Sequence, residues 1–460
     1  MCLMKNKTVL FFCGFILMLM ISCLGSDNEY ESMVIKDAQI QSFTLSHDSI
    51  TGLGSVKFTI DQIEGLIYNR DSLPYGTEIA MVICSLQYAA GGIAGVQVSP
   101  EALPDSTYWW NGTDSLDFSK PVKFVTTAYD GETTKTYIAK VNIHTVIPDS
   151  MVWERYDDSL LGKVVDEQKV IHTEYQGAET YFMYVYSSEG YQLYSSPVSD
   201  TRNWTKLPLA GLPSENMLIS QITEYEEAYY MNSTEGKLYS SPDGIAWSLS
   251  SGDESWSVRC LLGVLNEDRL LPSTLTAIVN EGGKLVFARM NKDGEWTTSG
   301  NEVPDKFPVI GFGNISFSNM YHEYLEVVAG RDKNNQLTNT TWWTQDGLSW
   351  ALMTDENATY FEAKEGAMLT KYDGKFCLTG GINAEGKGSK EIHFSSDYGV
   401  TWQLSDTLVV FPDEYAGRGF ASIFVDEDYY MLIFGGKTSD NTKPLDELWR
   451  GRINRLGFKD

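Results

Sequence analysis

The chain has 460 residues, 13% aromatic residues, 40 glycines and a formal net charge of −27 at neutral pH, and it is long enough for two or more domains. This charge excludes sequence-independent nucleic-acid binding, which needs cations to displace phosphate counterions, and it disfavours adsorption to anionic membranes. Aromatic enrichment, with no helical periodicity after about residue 25, predicts an all-β protein.

The first 22 residues have the pattern of a signal peptide. Lys5 and Lys7 precede an apolar run, residues 8–21, that is short for a membrane span but typical of a signal-peptide core. The following Met-Ile-Ser-Cys at positions 20–23 resembles the lipobox of bacterial lipoproteins, which implies cleavage before Cys23 and lipidation of its thiol. The alternative is an ordinary cleaved signal in which Cys23 is incidental.

Residues 23–31 are expected to be a tether behind the lipidated cysteine. Asp27, Glu29 and Glu31 form an acidic tract that resembles the surface-export signal of lipoproteins from anaerobic gut bacteria with two membranes. The resemblance implies an outer-membrane lipoprotein exposed at the cell surface. The sequence leaves open which membrane leaflet carries the anchor.

A first module is predicted over residues 32–148. Short alternating strands are expected at 40–45, 55–60, 79–82, 123–127 and 136–143, the last two joined by a hairpin with an Asp130-Gly131 turn. The module resembles the immunoglobulin-like β-sandwiches that serve as stalks in such lipoproteins. Trp109 and Trp110 suggest either a sugar-stacking platform or, more commonly in such modules, core or interdomain packing.

A repeat dominates residues 149–460. Residues 395–402, Ser-Ser-Asp-Tyr-Gly-Val-Thr-Trp, recur imperfectly, so that Trp204, Trp247, Trp296, Trp350 and Trp402 lie 43 to 54 residues apart. This is the period of a four-stranded propeller blade. Each turn follows a strand-like segment, and a sixth such strand, residues 447–451, ends the series.

The spacing inside each turn has a physical basis. The Asp accepts hydrogen bonds from N–H groups of its own turn, the Gly adopts a left-handed conformation, and the Trp anchors the outgoing strand. The turns resemble the Asp boxes of sialidase-like propellers, and the Gly-Gly and Gly-Arg strand ends at 380–381, 435–436 and 330–331 resemble kelch repeats. The residues assigned to this structural role are Asp243, Gly244, Trp247, Asp293, Gly294, Trp296, Asp346, Gly347, Trp350, Ser395, Asp397, Gly399, Thr401 and Trp402.

A six-bladed propeller is predicted, with one strand supplied from the other end of the repeat. Six third strands precede only five Trp-led fourth strands, and the segment 151–156, which contains Trp153, has the missing form. An N-terminal strand that completes the last blade would remove open sheet edges. The rival is completion by residues 456–458.

Neither a catalytic set nor a cofactor is predicted. The Arg-Ile-Pro sequence and arginine triad of sialidases are not found, and the five histidines lack metal-ligand spacing. Cys84, Cys260 and Cys377 lie in apolar runs, which predicts buried, inert thiols.

The predicted ligand site is the propeller mouth, on the face opposite the Asp boxes. Three long polar loops there, 331–340, 381–390 and 436–445, form an expected ridge. Its candidate ligand-binding residues are Arg331, Lys387, Tyr415, Arg418 and Lys443. The alternative is that these loops are solvated and bind nothing.

The whole plan resembles a gut-bacterial lipoprotein family of unknown function with an immunoglobulin-like module and a kelch/Asp-box-like propeller. The favoured function is a non-catalytic surface lipoprotein whose propeller binds a glycan or protein, with the membrane reached only through the lipid. The alternatives are a divergent glycan-processing hydrolase or lyase, and a structural subunit of an envelope complex.

Overall fold

The chain divides into two compact units, Met1–Ile147 and Pro148–Asp460. The computed structural model describes residues 36–89, 92–103, 106–251, 256–269, 271–355, 358–439 and 443–455. The predicted signal peptide, Cys23 and the predicted acidic tether therefore lie outside the described residues. Among the residues that are described, no helix is long and apolar enough to cross a membrane.

In its described residues the first unit has β-strands and one short 3₁₀ turn, Leu53–Ser55. Its strands are β1 (Ile40–Ser46), β2 (Phe58–Asp61), β3 (Leu66–Asn69), β4 (Val82–Tyr88), β5 (Ile93–Pro100), β6 (Tyr108–Trp109), β7 (Ser115–Leu116), β8 (Val122–Ala128) and β9 (Thr134–Lys140).

Two sheets of the first unit, in the orders β1-β4-β7 and β2-β3-β9-β8-β5-β6, enclose one apolar core. Phe43 of β1 meets Phe118 and Phe124 edge to face across it, at 5.9 and 6.1 Å between ring centroids. The predicted β8–β9 hairpin is confirmed, because Asp130 Oδ1 accepts the N–H groups two and three residues on. The parallel pairing of β3 with β9 was not predicted.

The second unit is also all-β, apart from a 3₁₀ turn at Ile219–Gln221. Its earlier strands are β10 (Met151–Asp157), β11 (Glu167–Tyr175), β12 (Ala178–Ser187), β13 (Gly190–Pro197), β14 (Thr205–Leu207), β15 (Thr223–Tyr225), β16 (Ala228–Asn232), β17 (Leu238–Ser241), β18 (Ser248–Ser251), β19 (Trp256–Leu265), β20 (Thr274–Glu281), β21 (Lys284–Met290) and β22 (Trp296–Glu302). Its later strands are β23 (Pro308–Ile310), β24 (Gly313–Ser318), β25 (Glu323–Val328), β26 (Arg331–Asp332), β27 (Thr341–Thr344), β28 (Ala351–Leu352), β29 (Glu365–Tyr372), β30 (Lys375–Ile382), β31 (Ile392–Ser395), β32 (Gln403–Leu404), β33 (Arg418–Gly419), β34 (Ser422–Val425), β35 (Met431–Phe434), β36 (Lys437–Thr438) and β37 (Leu448–Ile453).

Within the described residues, these strands form six four-stranded antiparallel sheets. Five follow chain order: β11-β12-β13-β14, β15-β16-β17-β18, β19-β20-β21-β22, β24-β25-β27-β28 and β29-β30-β31-β32. The sixth has the order β10-β37-β35-β34. The six predicted third strands are therefore confirmed, each in the third position from the same sheet edge.

Most successive sheets contact each other through their first strands, whereas β11 of the first sheet contacts the 3₁₀ turn Ile219–Gln221 that precedes β15. β15 contacts β19, β19 contacts β24, β24 contacts β29, and β29 contacts β34. β34 in turn contacts β11, and the Val170 N–H donates to Ser422 Oγ between them at 2.9 Å. Apolar clusters fill the spaces between successive sheets, including the last and the first, where Tyr181 meets Phe434 at 5.2 Å.

The predicted N-terminal strand is confirmed as the outer strand of the last sheet. β10 pairs antiparallel with β37, and Trp153 lies opposite Gly451. A Cβ on Gly451 would approach the Trp153 ring to 2.2 Å, so this glycine makes room for the indole. The rival segment, residues 456–458, lies outside the described residues.

Candidate functional site

Three of the predicted turns have the hydrogen bonds of an Asp box. Asp243 and Asp346 each accept the backbone N–H groups two and three residues further on, at 2.7 to 2.9 Å. Asp397 accepts the N–H and the hydroxyl of Thr401, at 2.9 and 2.6 Å. Burial by itself raises the pKa of Asp397, but the bonds from Thr401 and Ser395 outweigh it and hold that pKa below its usual range. These carboxylates are occupied by their own turns.

The glycines and tryptophans of these turns also have the predicted roles. Gly244, Gly347 and Gly399 have φ values of 70°, 73° and 80°, in the left-handed region. Trp247 and Trp402 are buried. Trp350 stacks on a phenylalanine of the preceding sheet with 5.7 Å between ring centroids.

The turn before Trp296 is built differently from the prediction. Asn291, not Asp293, accepts its N–H groups, those of Asp293 at 3.0 Å and Glu295 at 2.9 Å. Gly294 still has a φ of 80°. Because this turn is shorter, Asn291 lies next to the N–H groups in place of Asp293. The prediction that Asp293 accepts the hydrogen bonds of this turn was therefore wrong.

The predicted mouth loops lie at the opposite strand ends from the Asp boxes. In the fourth sheet of the chain, the hairpin between Ser318 and Glu323 and the Asp box after Thr344 share one end, while Val328 and Thr341 border the other. Two of the long loops are held by hydrogen bonds like those of the Asp-box turns. Asp332 and Asn383 each accept N–H groups two and four residues on, at 2.8 to 3.2 Å. The loops are pre-shaped hairpins rather than open coils.

Two of the predicted mouth cations are already paired. Arg331 Nη2 lies 2.6 Å from Glu365 Oε1, and its Nη1 donates to the Asn335 carbonyl at 3.1 Å. Lys443 Nζ lies 3.2 Å from Asp166 Oδ1. Lys387 is exposed, and its ammonium makes no ion pair with any residue that the structure describes.

Arg418 and Tyr415 do not reach the surface, which corrects their assignment to a ligand-binding mouth. Both are fully buried. Arg418 Nη2 bonds Glu447 Oε1 at 2.6 Å, its Nη1 donates to the Gly435 carbonyl at 2.9 Å, and its guanidinium lies 4.1 Å from the Tyr415 ring centroid. Loop context and charge suggested exposure, but a satisfied guanidinium is stable in the interior.

The ring contact of this cluster recurs in the two preceding sheets, with 5.3 to 6.1 Å between ring centroids, which indicates that it belongs to the repeat. Each of the three sheets contributes four residues at matching positions. These are an aromatic ring, the residue three positions after it and, later in the chain, a polar residue and the ring two positions after that polar residue. The sets are Tyr415, Arg418, Glu447 and Trp449; Phe361, Lys364, Glu391 and His393; and Phe307, Ile310, Thr340 and Trp342. In the first and last sets the indole N–H donates to its acceptor at 2.8 and 3.0 Å, whereas His393 Nε2 is 3.9 Å from Glu391.

Lys364 is the imperfect member of this series. It is 2% exposed, and its Nζ has no hydrogen-bond partner among the described residues. Burial lowers the pKa of Lys364 to about 8. Burial, and then the nearby Lys364 charge, lower the pKa of His393 to about 4.

A cleft at the Asp-box end of the fourth and fifth sheets was missed by sequence reasoning. It has a volume of about 430 Å³ and is lined by both polar and aromatic residues, among them Glu323, Lys371, Ser396 and Tyr398. The sequence contained one signal, since Tyr398 makes its turn one residue longer than those at 241–247 and 344–350.

No group of three or more His, Cys, Asp or Glu residues that could hold a metal occurs in the part of the chain that the structure describes. The three described cysteines, Cys84, Cys260 and Cys377, are free and buried, as predicted. Burial raises the pKa of the Cys260 and Cys377 thiols to about 12. These thiols are therefore protonated and unreactive at neutral pH.

Comparison with known proteins gives a family and a fold. The model described as the DUF6242 beta propeller domain matches residues 147–460, and the model for the N-terminal domain of the same domain of unknown function, DUF6242, matches residues 25–141. The solved structure titled "Structure of YjhT" is similar at 12% identity with a TM-score of 0.40, over 61% of this chain and 94% of that chain. No curated protein matches the chain. A β-propeller domain is suited to a binding or structural role.

Proposed function

The chain belongs to the DUF6242 family, and from this premise we propose that it is a non-catalytic binding protein, anchored to the outer membrane by lipid on Cys23 and exposed at the cell surface. Its first unit is an immunoglobulin-like stalk, and its second unit is a six-bladed propeller of mixed kelch and Asp-box character. The ligand is a glycan or a protein.

Two features of the second unit support six blades. From the second sheet to the sixth, the first strands are in successive contact, the first strand of the sixth, β34, contacts β11 of the first, and β11 contacts the 3₁₀ turn Ile219–Gln221 that leads into the second. β10 completes the sixth sheet from the N-terminal side, which is the joining of chain ends that a ring requires.

The observation that carries the binding role is the set of ordered loops at the strand ends opposite the Asp boxes. Their two described hairpins are fixed by Asp332 and Asn383, so they present side chains without a large loss of loop entropy on binding. Arg331 and Lys443 are paired with carboxylates, so this surface has mixed charge. Such a surface suits a polar ligand held by hydrogen bonds, and Lys387 offers it an ammonium that makes no ion pair with the described residues.

The test is a glycan array and a screen of envelope proteins with the purified chain, followed by affinity and product analysis of every hit. Lys387→Glu is compared with Lys375→Glu, an exposed lysine at the Asp-box end of β30. We expect Lys387→Glu to weaken binding at least tenfold, Lys375→Glu to leave it unchanged, and no product to form. Equal affinity in both variants contradicts the loop face, and turnover of a bound glycan contradicts the non-catalytic role.

The anchor is tested separately. Cys23→Ser removes the thiol that would carry lipid, so the protein should move from the membrane to the soluble fraction, and its intact mass should lose the lipid increment. Unchanged membrane association of the variant would contradict the lipid anchor.

A further inference from the structure

Tyr398 departs from the turn chemistry of its neighbours. In the turns at 241–247 and 344–350, Gly directly follows Asp, whereas Tyr398 separates Asp397 from Gly399. Its φ is 57°, in the left-handed region that favours Gly and Asn and is unfavourable for a large side chain. Tyr398 thus has an unfavourable backbone conformation at a position that the turns at 241–247 and 344–350 do not have. Other non-glycine residues of the described chain, such as Tyr429, also have a positive φ, so what distinguishes Tyr398 is that its ring lines a cleft.

The surrounding contacts hold the ring of Tyr398 in a defined place. Its ring stacks on Phe317 with 5.1 Å between centroids and 11° between planes, and Phe317 stacks in turn on Tyr324 at 5.0 Å and 10°. Phe376 meets the Tyr398 ring edge to face at 5.8 Å. Phe317 and Phe376 are buried, whereas Tyr398 is 43% exposed. Tyr398 is therefore the solvent-facing end of a three-ring stack.

The polar groups beside this ring are spaced around a cleft of ligand size. The cleft volume, about 430 Å³, is within the usual range for small-ligand pockets. Asn266 Nδ2 lies 3.4 Å from Glu323 Oε2, which orients that carboxylate. Lys371 and Ser396 add an ammonium and a hydroxyl, and both side chains are exposed. One carboxylate and one ammonium give the wall no net charge.

We propose that this cleft binds a neutral carbohydrate. The apolar C–H face of a sugar ring would stack on Tyr398, because the negative face of an aromatic ring attracts polarised C–H groups. Glu323 would accept sugar hydroxyls, and Lys371 and Ser396 would donate to ring or hydroxyl oxygens. The site is separate from the loop face of the proposed function, because it lies at the opposite ends of the strands.

The decisive variant is Tyr398→Asn, because Asn tolerates the left-handed conformation and removes the ring. The probes are maltohexaose, cellohexaose, xylohexaose and mannohexaose, with sialyllactose as an acidic comparator, titrated calorimetrically against the full protein. We expect at least one neutral probe to bind, and a folded Tyr398→Asn protein to bind it at least tenfold more weakly. A ring kept only for packing would lower the melting temperature and leave the affinity unchanged.

Tyr429→Asn is the matched control, since Tyr429 is also half-exposed, with a φ of 62°, but does not line the cleft. It should retain affinity. Glu323→Gln, which conserves shape, should also weaken binding, and it provides the test if Tyr398→Asn does not fold. The proposal is overturned if no neutral probe binds, if sialyllactose binds best, or if Tyr398→Asn and Glu323→Gln bind like the wild type. If Lys387→Glu loses affinity and Tyr398→Asn does not, the ligand binds at the loop face, and the proposal for the cleft is also overturned.

Discussion

Replacing Lys364 by Met is predicted to stabilise the second unit at neutral pH. Lys364 is 2% exposed, its Nζ has no hydrogen-bond partner among the described residues, and burial lowers its pKa from 10.5 to about 8. Since one pKa unit corresponds to 1.36 kcal/mol, the penalty for charging this buried ammonium is about 3 kcal/mol. Met has similar length and fills the same space beside Gly381 without a charge.

The sign of the pH dependence follows from the same shift. Between pH 8 and 10.5 the unfolded chain keeps the Lys364 proton and the folded chain does not, so the free energy of unfolding rises with pH in that window. The Met variant lacks this component, and its advantage should therefore be largest below pH 8 and fade toward pH 10.5. Urea denaturation of both proteins at pH 7 and pH 10 measures the difference.

Arg418→Met is the internal control, because Arg418 occupies the equivalent position in the next sheet and is paired with Glu447 at 2.6 Å. Removing Arg418 takes from Glu447 its closest counter-ion and leaves it only the half-exposed Arg155 at 3.4 Å, so the loss should approach the cost of about 3–5 kcal/mol that is typical of breaking a buried pair. The two substitutions should therefore have opposite effects. A Lys364→Met protein that is less stable than wild type at pH 7, or that has the same pH dependence, would refute the reasoning.

Two other predictions use the contacts between strands and between sheets. Glu326 is fully buried, burial raises its pKa well above the usual range, and its Oε2 accepts the Trp343 indole N–H at 3.0 Å. The folded state keeps this proton above pH 4.5 while the unfolded state loses it, so stability falls as pH rises, and Glu326→Gln should reduce that fall; equal pH slopes in urea denaturation would contradict it. Gly451→Ala should destabilise by about 1–3 kcal/mol, because its Cβ would meet the Trp153 ring at 2.2 Å. In a Trp153→Ala background the same change should cost much less, and additive losses would argue against this contact.

The repeat could be predicted from sequence because its information is local. Asp397, Gly399 and Trp402 form one turn whose hydrogen bonds depend on residues only a few positions apart. The strand containing Trp153 was also predictable, since counting the repeat left one position vacant. The parallel pairing of β3 with β9 was not, because it joins segments about seventy residues apart and has no marker in either.

The burial of two of the predicted mouth residues could not be predicted from their local sequence. Arg331 lies in a polar loop, and it remains at the surface. Arg418 lies in a similar context but is buried by Tyr415 and paired with Glu447, a residue 29 positions later. Charge and neighbours in sequence did not encode this burial. The repeat does contain a signal for this burial, because Phe361 and the buried Lys364 have the same spacing as Tyr415 and Arg418. The match becomes visible only when corresponding strands of the two sheets are aligned.

The repeated framework therefore offers a criterion for separating structural from functional residues. A residue that occupies the same contact in several sheets, as Tyr415, Phe361 and Phe307 do, is explained by packing of the fold. A residue that departs from the repeat at an energetic disadvantage needs another explanation. Tyr398 is such a residue, since the sister turns form without it and its backbone conformation is unfavourable. The turn at 395–402 is thus one residue longer than the copies at 241–247 and 344–350, and its additional residue places the search for a ligand at the Asp-box end of the strands as well as at the loop face.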